Sequence, residues 1–143
     1  RALRDVSEAQ FEESSGLLPD VVKRRCRHVV TENQRTLDSM QALLKGDMER
    51  FGALMFASHE SLRFDYEVSC DELDVLNELA KESHAVIGER MTGAGFGGCA
   101  VALARRDGLD NLKVYLSEEY FKKTGRRLKI YETSPARGAA IVD

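Results

Sequence analysis

The chain has 143 residues, 43% of them apolar and 31% charged, enough for one domain with its own core. A net charge of −3 argues against general nucleic-acid binding, and no apolar run is long enough to cross a bilayer. Cys26, Cys70 and Cys99 are far apart, show no zinc spacing, and fit the reduced thiols of a cytoplasmic protein.

The opening Arg1-Ala2-Leu3-Arg4-Asp5 lacks the apolar segment of a signal peptide, and the missing initiator Met suggests a fragment or a processed chain. Ser7-Glu8-Ala9-Gln10 is a capping box for a short helix that stops near Gly16, and Pro19-Asp20 starts the next. Val22, Cys26, Val29, Val30, Leu37, Met40 and Leu44 fall at helical spacing, which predicts one long helix with that apolar face. The basic run Lys23-Arg24-Arg25 with Arg27 is expected on its solvated face. Gly46 and Asp47 form a tight turn into a helix lined by Phe51, Leu54, Met55, Ser58 and Leu62, so the two helices are expected to pack antiparallel.

Ser69-Cys70-Asp71-Glu72 forms another predicted capping box, ahead of a stripe at Leu73, Leu76, Leu79 and Ala80. The period then changes. Val86–Thr92 and Cys99–Ala104 are β-compatible runs on either side of a glycine cluster. Leu109, Leu112, Tyr115, Leu116 and Tyr120 predict a helix ending at Gly125. Leu128–Thr133 alternates like a strand, and residues 138–142 are expected to add an edge strand. The pattern is α+β: a helical part over about residues 1–82, then a small, mostly antiparallel sheet with helices on one face over about residues 83–143.

The cluster Gly93-Ala94-Gly95-Phe96-Gly97-Gly98 is the most informative stretch. So many glycines carry an entropic cost and need a reason: a tight turn, close packing, or a loop whose N–H groups face an anion. Gly93-x-Gly95-x-x-Gly98 formally matches a dinucleotide-binding fingerprint, but an apolar strand follows where that motif requires a helix. A P-loop needs Gly-Lys-Ser/Thr, and here Gly98 precedes Cys99. A structural turn and an anion-facing loop both stay open on these grounds.

Arg90-Met91-Thr92-Gly93-Ala94-Gly95-Phe96-Gly97-Gly98-Cys99 resembles the third motif of the GHMP small-molecule kinases, in its galactokinase form. The blocks Arg27–Asn33 and Ala57–Asp74 are similar to the same family, in the same order. The resemblance covers nearly the whole chain but only the C-terminal, ferredoxin-like domain of such a kinase. Phe96 stands where related N-acetylgalactosamine kinases tend to carry Trp, which favours the galactokinase branch. Phe64 and Phe56 depart from the family's usual Asp and Asn.

The resemblance implies ATP and Mg2+ as cofactors, galactose as substrate, and an N-terminal kinase domain of the same protein as partner. Neither nucleic acid nor membrane is implied. It places Gly93, Ala94, Gly95, Phe96, Gly97 and Gly98 on the phosphate side of the site. The sugar signature, the ATP loop and the catalytic carboxylate belong to the absent N-terminal domain, so no catalytic or metal-binding residue is assigned. The 143-residue chain alone is expected to be inactive and to expose an apolar docking face. Kinases of the same family acting on N-acetylgalactosamine or arabinose, and a non-catalytic sensor, are the alternatives.

Other polar residues carry plainer expectations. His59 is expected to pack between helices, His28 and Glu32 to pair across one turn, and His84 to sit in a turn. Asp71, Glu72 and Asp74 are expected to serve a helix N-terminus rather than a metal, and Cys99 to be an inert strand thiol.

Overall fold

The computed structural model describes residues 2–136 and 138. Helix α1 (Glu8–Ser14) opens on its predicted box: Ser7 Oγ accepts from the Gln10 N–H at 3.3 Å, and the Gln10 side chain accepts from the Ser7 N–H at 3.0 Å. Helix α2 (Asp20–Leu44) starts after Pro19 and gives way to Gly46 at φ +70°. Asp47 then caps α3 (Met48–Ser61), accepting from the Arg50 N–H at 2.9 Å. The pairing is antiparallel. Ser58 donates to Glu32 at 2.6 Å, while His28, earlier on α2, meets Ser61, later on α3, at 3.0 Å.

The buried face of α2 differs from the predicted stripe. His28, Val30 and Ala42 are buried, whereas Val22, Leu37, Met40 and Leu44 are 45–75% exposed. The 25 residues of α2 outrun the 14 of α3, so α3 cannot cover the whole stripe. The polar pairs to Ser58 and Ser61 set which side turns inward.

Leu62–Tyr66 continue α3 as a π-helical turn, closed by Glu67 in the left-handed region at φ +58°. Arg24 and Arg25 bind the Glu67 carboxylate at 2.6 and 2.5 Å, and Arg27 lies 3.6 Å from Asp65. The basic run is therefore not a merely solvated face; it holds the end of the π turn. These hydrogen bonds, Arg25 first and Arg24 next, keep the Glu67 carboxyl below its usual range.

Helix α4 (Asp71–Glu82) corrects another expectation. Cys70 occupies the cap position without a side-chain bond, because the Ser69 hydroxyl donates to Asp74 at 2.6 Å instead of closing a box with Glu72. Strands β1 (Val86–Thr92) and β2 (Cys99–Ala104) form an antiparallel hairpin, with Val86 opposite Ala104, Thr92 opposite Cys99, and an irregularity between Val86 and Gly88. Helix α5 (Leu109–Thr124) ends at Gly125, φ +70°. Leu79 of α4 packs with Leu112, Leu116 and Tyr120 of α5, and Val86 and Ala104 of the hairpin lie against them. Helix α3 runs against β1 so closely that a Cβ on Gly52 would stand 1.9 Å from the Ile87 carbonyl oxygen.

Leu128–Thr133 is not a strand here. Leu128 packs on the α4–α5 cluster and Glu132 accepts from Lys113 at 2.6 Å, but the segment makes no ladder bonds with the described residues. A strand needs a neighbour, and an open groove separates β2 from Thr133–Pro135. Of the edge strand expected over residues 138–142, all but Gly138 lies outside the described residues.

Candidate functional site

Thr92 and Cys99 face each other across the hairpin, so residues 93–98 bridge two paired strand ends. Within the loop, Gly93, Gly95, Gly97 and Gly98 have φ between +90° and +129°, and Phe96 joins them at +62°. Gly95 is also a close approach: a Cβ there would lie 2.3 Å from the Val68 carbonyl oxygen. The Phe96 N–H donates to that same oxygen at 2.6 Å. A bulky residue in the left-handed region costs about 1–3 kcal/mol, and the Val68 bond holds Phe96 there while its ring stays 76% exposed. Among the described residues, no protein acceptor takes the N–H of Gly93, Ala94, Gly95, Gly97 or Gly98. The loop therefore presents main-chain donors to its surroundings.

Two supports hold it. The first is Val68, which follows the arginine-bound Glu67. The second is a buried polar network under β1. His59 is fully buried; its Nδ1 accepts from the Met91 N–H at 3.2 Å, so the ring proton sits on Nε2 and is donated to Asp74 at 3.2 Å. Asp74 also accepts from Ser69 at 2.6 Å and from Arg63 Nε at 2.9 Å. Burial lowers the His59 pKa even though Asp74 opposes it. His59 is thus the packing histidine that its position on an apolar face predicts, and it fixes β1 two residues before Gly93.

Elsewhere the polar residues are distributed differently from expectation. His28 does not pair with Glu32: it bonds Ser61 and stacks on Tyr66 with centroids 4.5 Å apart, while Glu32 binds Arg35 and Ser58. Burial first, then Arg35, lowers the His28 pKa. Asp74 turns inward to His59, whereas Glu72 pairs with Arg126 at 3.0 Å. Cys99 is exposed at the start of β2. His84 lines a hollow with Arg105 and Tyr115, at the other end of the hairpin from the loop. Glu89 and Asn77, both 1% exposed and bonded to each other, went unread in the sequence. The available signals were an acid inside a strand and an amide interrupting the apolar stripe of α4.

Beside the hairpin lies an open groove of about 580 Å³, with Arg35 and Ser39 of α2, Leu54 and Met55 of α3, Arg90, Val101 and Leu103 of the hairpin, and Thr133–Pro135 around it. Its lining is largely apolar, and it ends where Leu128–Thr133 would need a strand neighbour.

A family model described as GHMP kinases C terminal matches residues 39–123. The chain belongs to the GHMP kinase family. The match runs from the last turns of α2 through the glycine loop to the last turn of α5. Among relatives, the galactokinase of Clostridium acetobutylicum is 48% identical over 143 residues, covering 99% of this chain and 37% of that protein. The galactokinase of Actinobacillus succinogenes is 47% identical over 146 residues, covering 96% of this chain and 37% of its own length. A Lactococcus lactis galactokinase, solved in complex with galactose, matches with a TM-score of 0.86 at 39% identity, over 89% of this chain and 33% of that one. This GHMP kinase chain therefore spans about 37% of the length of the curated relatives it matches. Its α+β architecture, helix-rich with a small antiparallel sheet, is that of the family's C-terminal domain. No helix among the described residues is long and apolar enough to cross a membrane.

Proposed function

We propose that this chain is the C-terminal domain of a cytoplasmic galactokinase, which transfers the γ-phosphate of ATP to the anomeric hydroxyl of galactose. The glycine loop forms one wall of its phosphoryl-transfer site. The observation that carries this reading is the loop itself: five main-chain N–H groups without protein acceptors among the described residues, on a segment anchored at Val68 and, through His59, at β1. Phosphoryl transfer rests on positioned donors where charge develops on the transferring group. Main-chain N–H groups on a fixed loop supply such donors without a side chain.

The glycine loop does not fit the magnesium that the family uses. Magnesium takes oxygen ligands, whereas the loop offers N–H donors. No step through the metal is assigned to this chain. It binds and orients phosphate; the carboxylate that activates the sugar hydroxyl lies in the remainder of the polypeptide.

That remainder is the proposed partner, and the groove beside β2 is where it docks. Among the described residues the outer edge of β2 has no ladder partner, Val101 is 48% exposed, and Leu54, Met55 and Leu103 line the groove with it. An unpaired strand edge beside an apolar groove is a surface on which another part of a protein can dock.

The test is ADP release by the full-length protein with galactose, N-acetylgalactosamine and arabinose in parallel. Galactose is expected to give the fastest turnover, with none from the 143-residue chain alone. Galactose-dependent turnover by that chain alone, or a full-length protein that prefers another sugar, overturns the assignment.

A further inference from the structure

A carboxylate is buried on β1 four residues before the glycine loop. Glu89 is 1% exposed. One carboxylate oxygen accepts from Asn77 Nδ2 on α4, and the other, Oε1, is buried without a hydrogen-bond partner. Asn77 also reaches the Glu89 main-chain carbonyl at 3.4 Å. An ionised carboxylate left half-satisfied in such a place carries a large desolvation cost, which the neutral acid escapes.

The surrounding charges leave Glu89 unpaired among the described residues. On α4, Lys81 binds Glu60 of α3, and Asp74 is occupied by His59, Ser69 and Arg63. On its own strand, the Arg90 side chain donates to the Met91 carbonyl at 3.1 Å. On α3, His59 is neutral and committed to Met91 and Asp74. On β2, the residue opposite Glu89 is Ala102.

Asp74 and Asn77 lie one turn apart on α4 and grip β1 at two points. Asp74 acts through His59 at Met91, and Asn77 acts directly at Glu89. We propose that Glu89 is a proton-operated latch between β1 and α4: the neutral carboxyl stays in its dry pocket, whereas the ionised one, whose Oε1 finds no donor there, is drawn toward water although the Asn77 bond itself favours the charge, and the order of the glycine loop follows it. With the latch open, β1 keeps its apolar packing on α4, Met91 with Leu73 and Val86 with Leu79, and its one polar tie to α4 among the described residues is through His59, just before the loop. Burial, opposed by Asn77, Lys81 and Arg90, pushes the Glu89 carboxyl up to about 7 from 4.5, which places the latch in the neutral range. The folded chain thus keeps this proton to a higher pH than the unfolded chain. The Glu89 contribution to stability falls as pH rises from about 4.5 to about 7 and is level above that. This proposal does not depend on which sugar is phosphorylated, or on whether any is.

The test compares the full-length protein with its Glu89→Gln variant by denaturant unfolding from about pH 5 to about pH 8. The unfolding constant of the wild type is expected to rise relative to that of the variant by on the order of 100-fold across this range. Amide exchange at Phe96 is expected to quicken at the alkaline end in the wild type alone. Parallel stability curves for the two proteins overturn the latch, and equal Phe96 exchange at both ends overturns its link to the loop. If the variant does not fold, carbon-13 NMR of the glutamate carboxyls in the unmodified protein decides. One glutamate titrating near neutrality supports the latch, and none titrating above about pH 6 sinks it.

Discussion

Gly95→Ala is the sharpest perturbation of the loop, and Gly93→Ala is its control. Both positions have φ near +90°, at +90° and +95°, so an alanine at either carries the same backbone strain, about 1 kcal/mol. They differ in space. At Gly93 nothing lies within 4 Å of the new methyl group, whereas at Gly95 it would meet the Val68 oxygen at 2.3 Å and the Val68 Cβ at 2.8 Å. Restoring ordinary contact moves the loop away by about 1 Å. That lengthens the 2.6 Å bond from Phe96 to Val68 past hydrogen-bonding range. Its loss adds about 1 kcal/mol, and the remaining overlap adds about as much again. Gly95→Ala is therefore expected to cost about 3 kcal/mol against about 1 for Gly93→Ala, measured by urea unfolding of the full-length protein. Displaced N–H donors are also expected to lower kcat by about 100-fold, with a smaller effect on KM for ATP. Equal stabilities for the two variants refute the packing argument. Unchanged kcat in a destabilised Gly95→Ala refutes the loop's place at the reacting phosphate.

His59→Leu removes the acceptor for the Met91 N–H and the donor to Asp74, so a loss of about 2–4 kcal/mol is expected in thermal or urea unfolding. Because burial lowers the His59 pKa, the unfolded chain takes up this proton first; the histidine's contribution to stability is lost as pH falls below 6.5, and the variant is expected to lack that acid-side slope. An unaltered acid limb in His59→Leu counts against the assigned protonation. Leu37→Ser combined with Met40→Ser tests the exposed stripe of α2, which lies outside the groove: about 2 kcal/mol of stability is lost from the full-length protein if that stripe is covered there. A change within about 0.5 kcal/mol means that the stripe faces solvent.

The parts legible in the sequence were those whose signals are local. Strands β1 and β2 match their predicted spans because two apolar runs are bounded by glycines on one side and by Arg105-Arg106-Asp107-Gly108 on the other. The starts of α1 and α3 were legible because Ser7 and Asp47 cap the helices they precede. Where the outcome depended on residues far along the chain, the pattern misled. Apolar spacing along α2 is regular, but which side turns inward was decided by Ser58 and Ser61 on another helix. The basic run looked solvated because Glu67, its partner, is 42 residues from Arg25. Leu128–Thr133 alternates as a strand should, yet alternation specifies a face and not a neighbour.

The glycine loop shows the same division and suggests why it is built as it is. That residues 93–98 form a loop follows from their composition; that the loop is held open does not. A connection serving only to reverse the chain closes in about two to five residues with its bonds between the flanking strands. Here six residues are spent, and among the described residues the one bond donated by the loop's main chain runs outward to Val68. Val68 is available because Glu67 sits in a left-handed conformation stabilised by two arginines of α2. The loop's shape thus depends on a helix that begins more than 70 residues earlier. Such support exceeds what a hairpin turn needs. On the proposed function it serves donors that must meet developing charge without first reorganising.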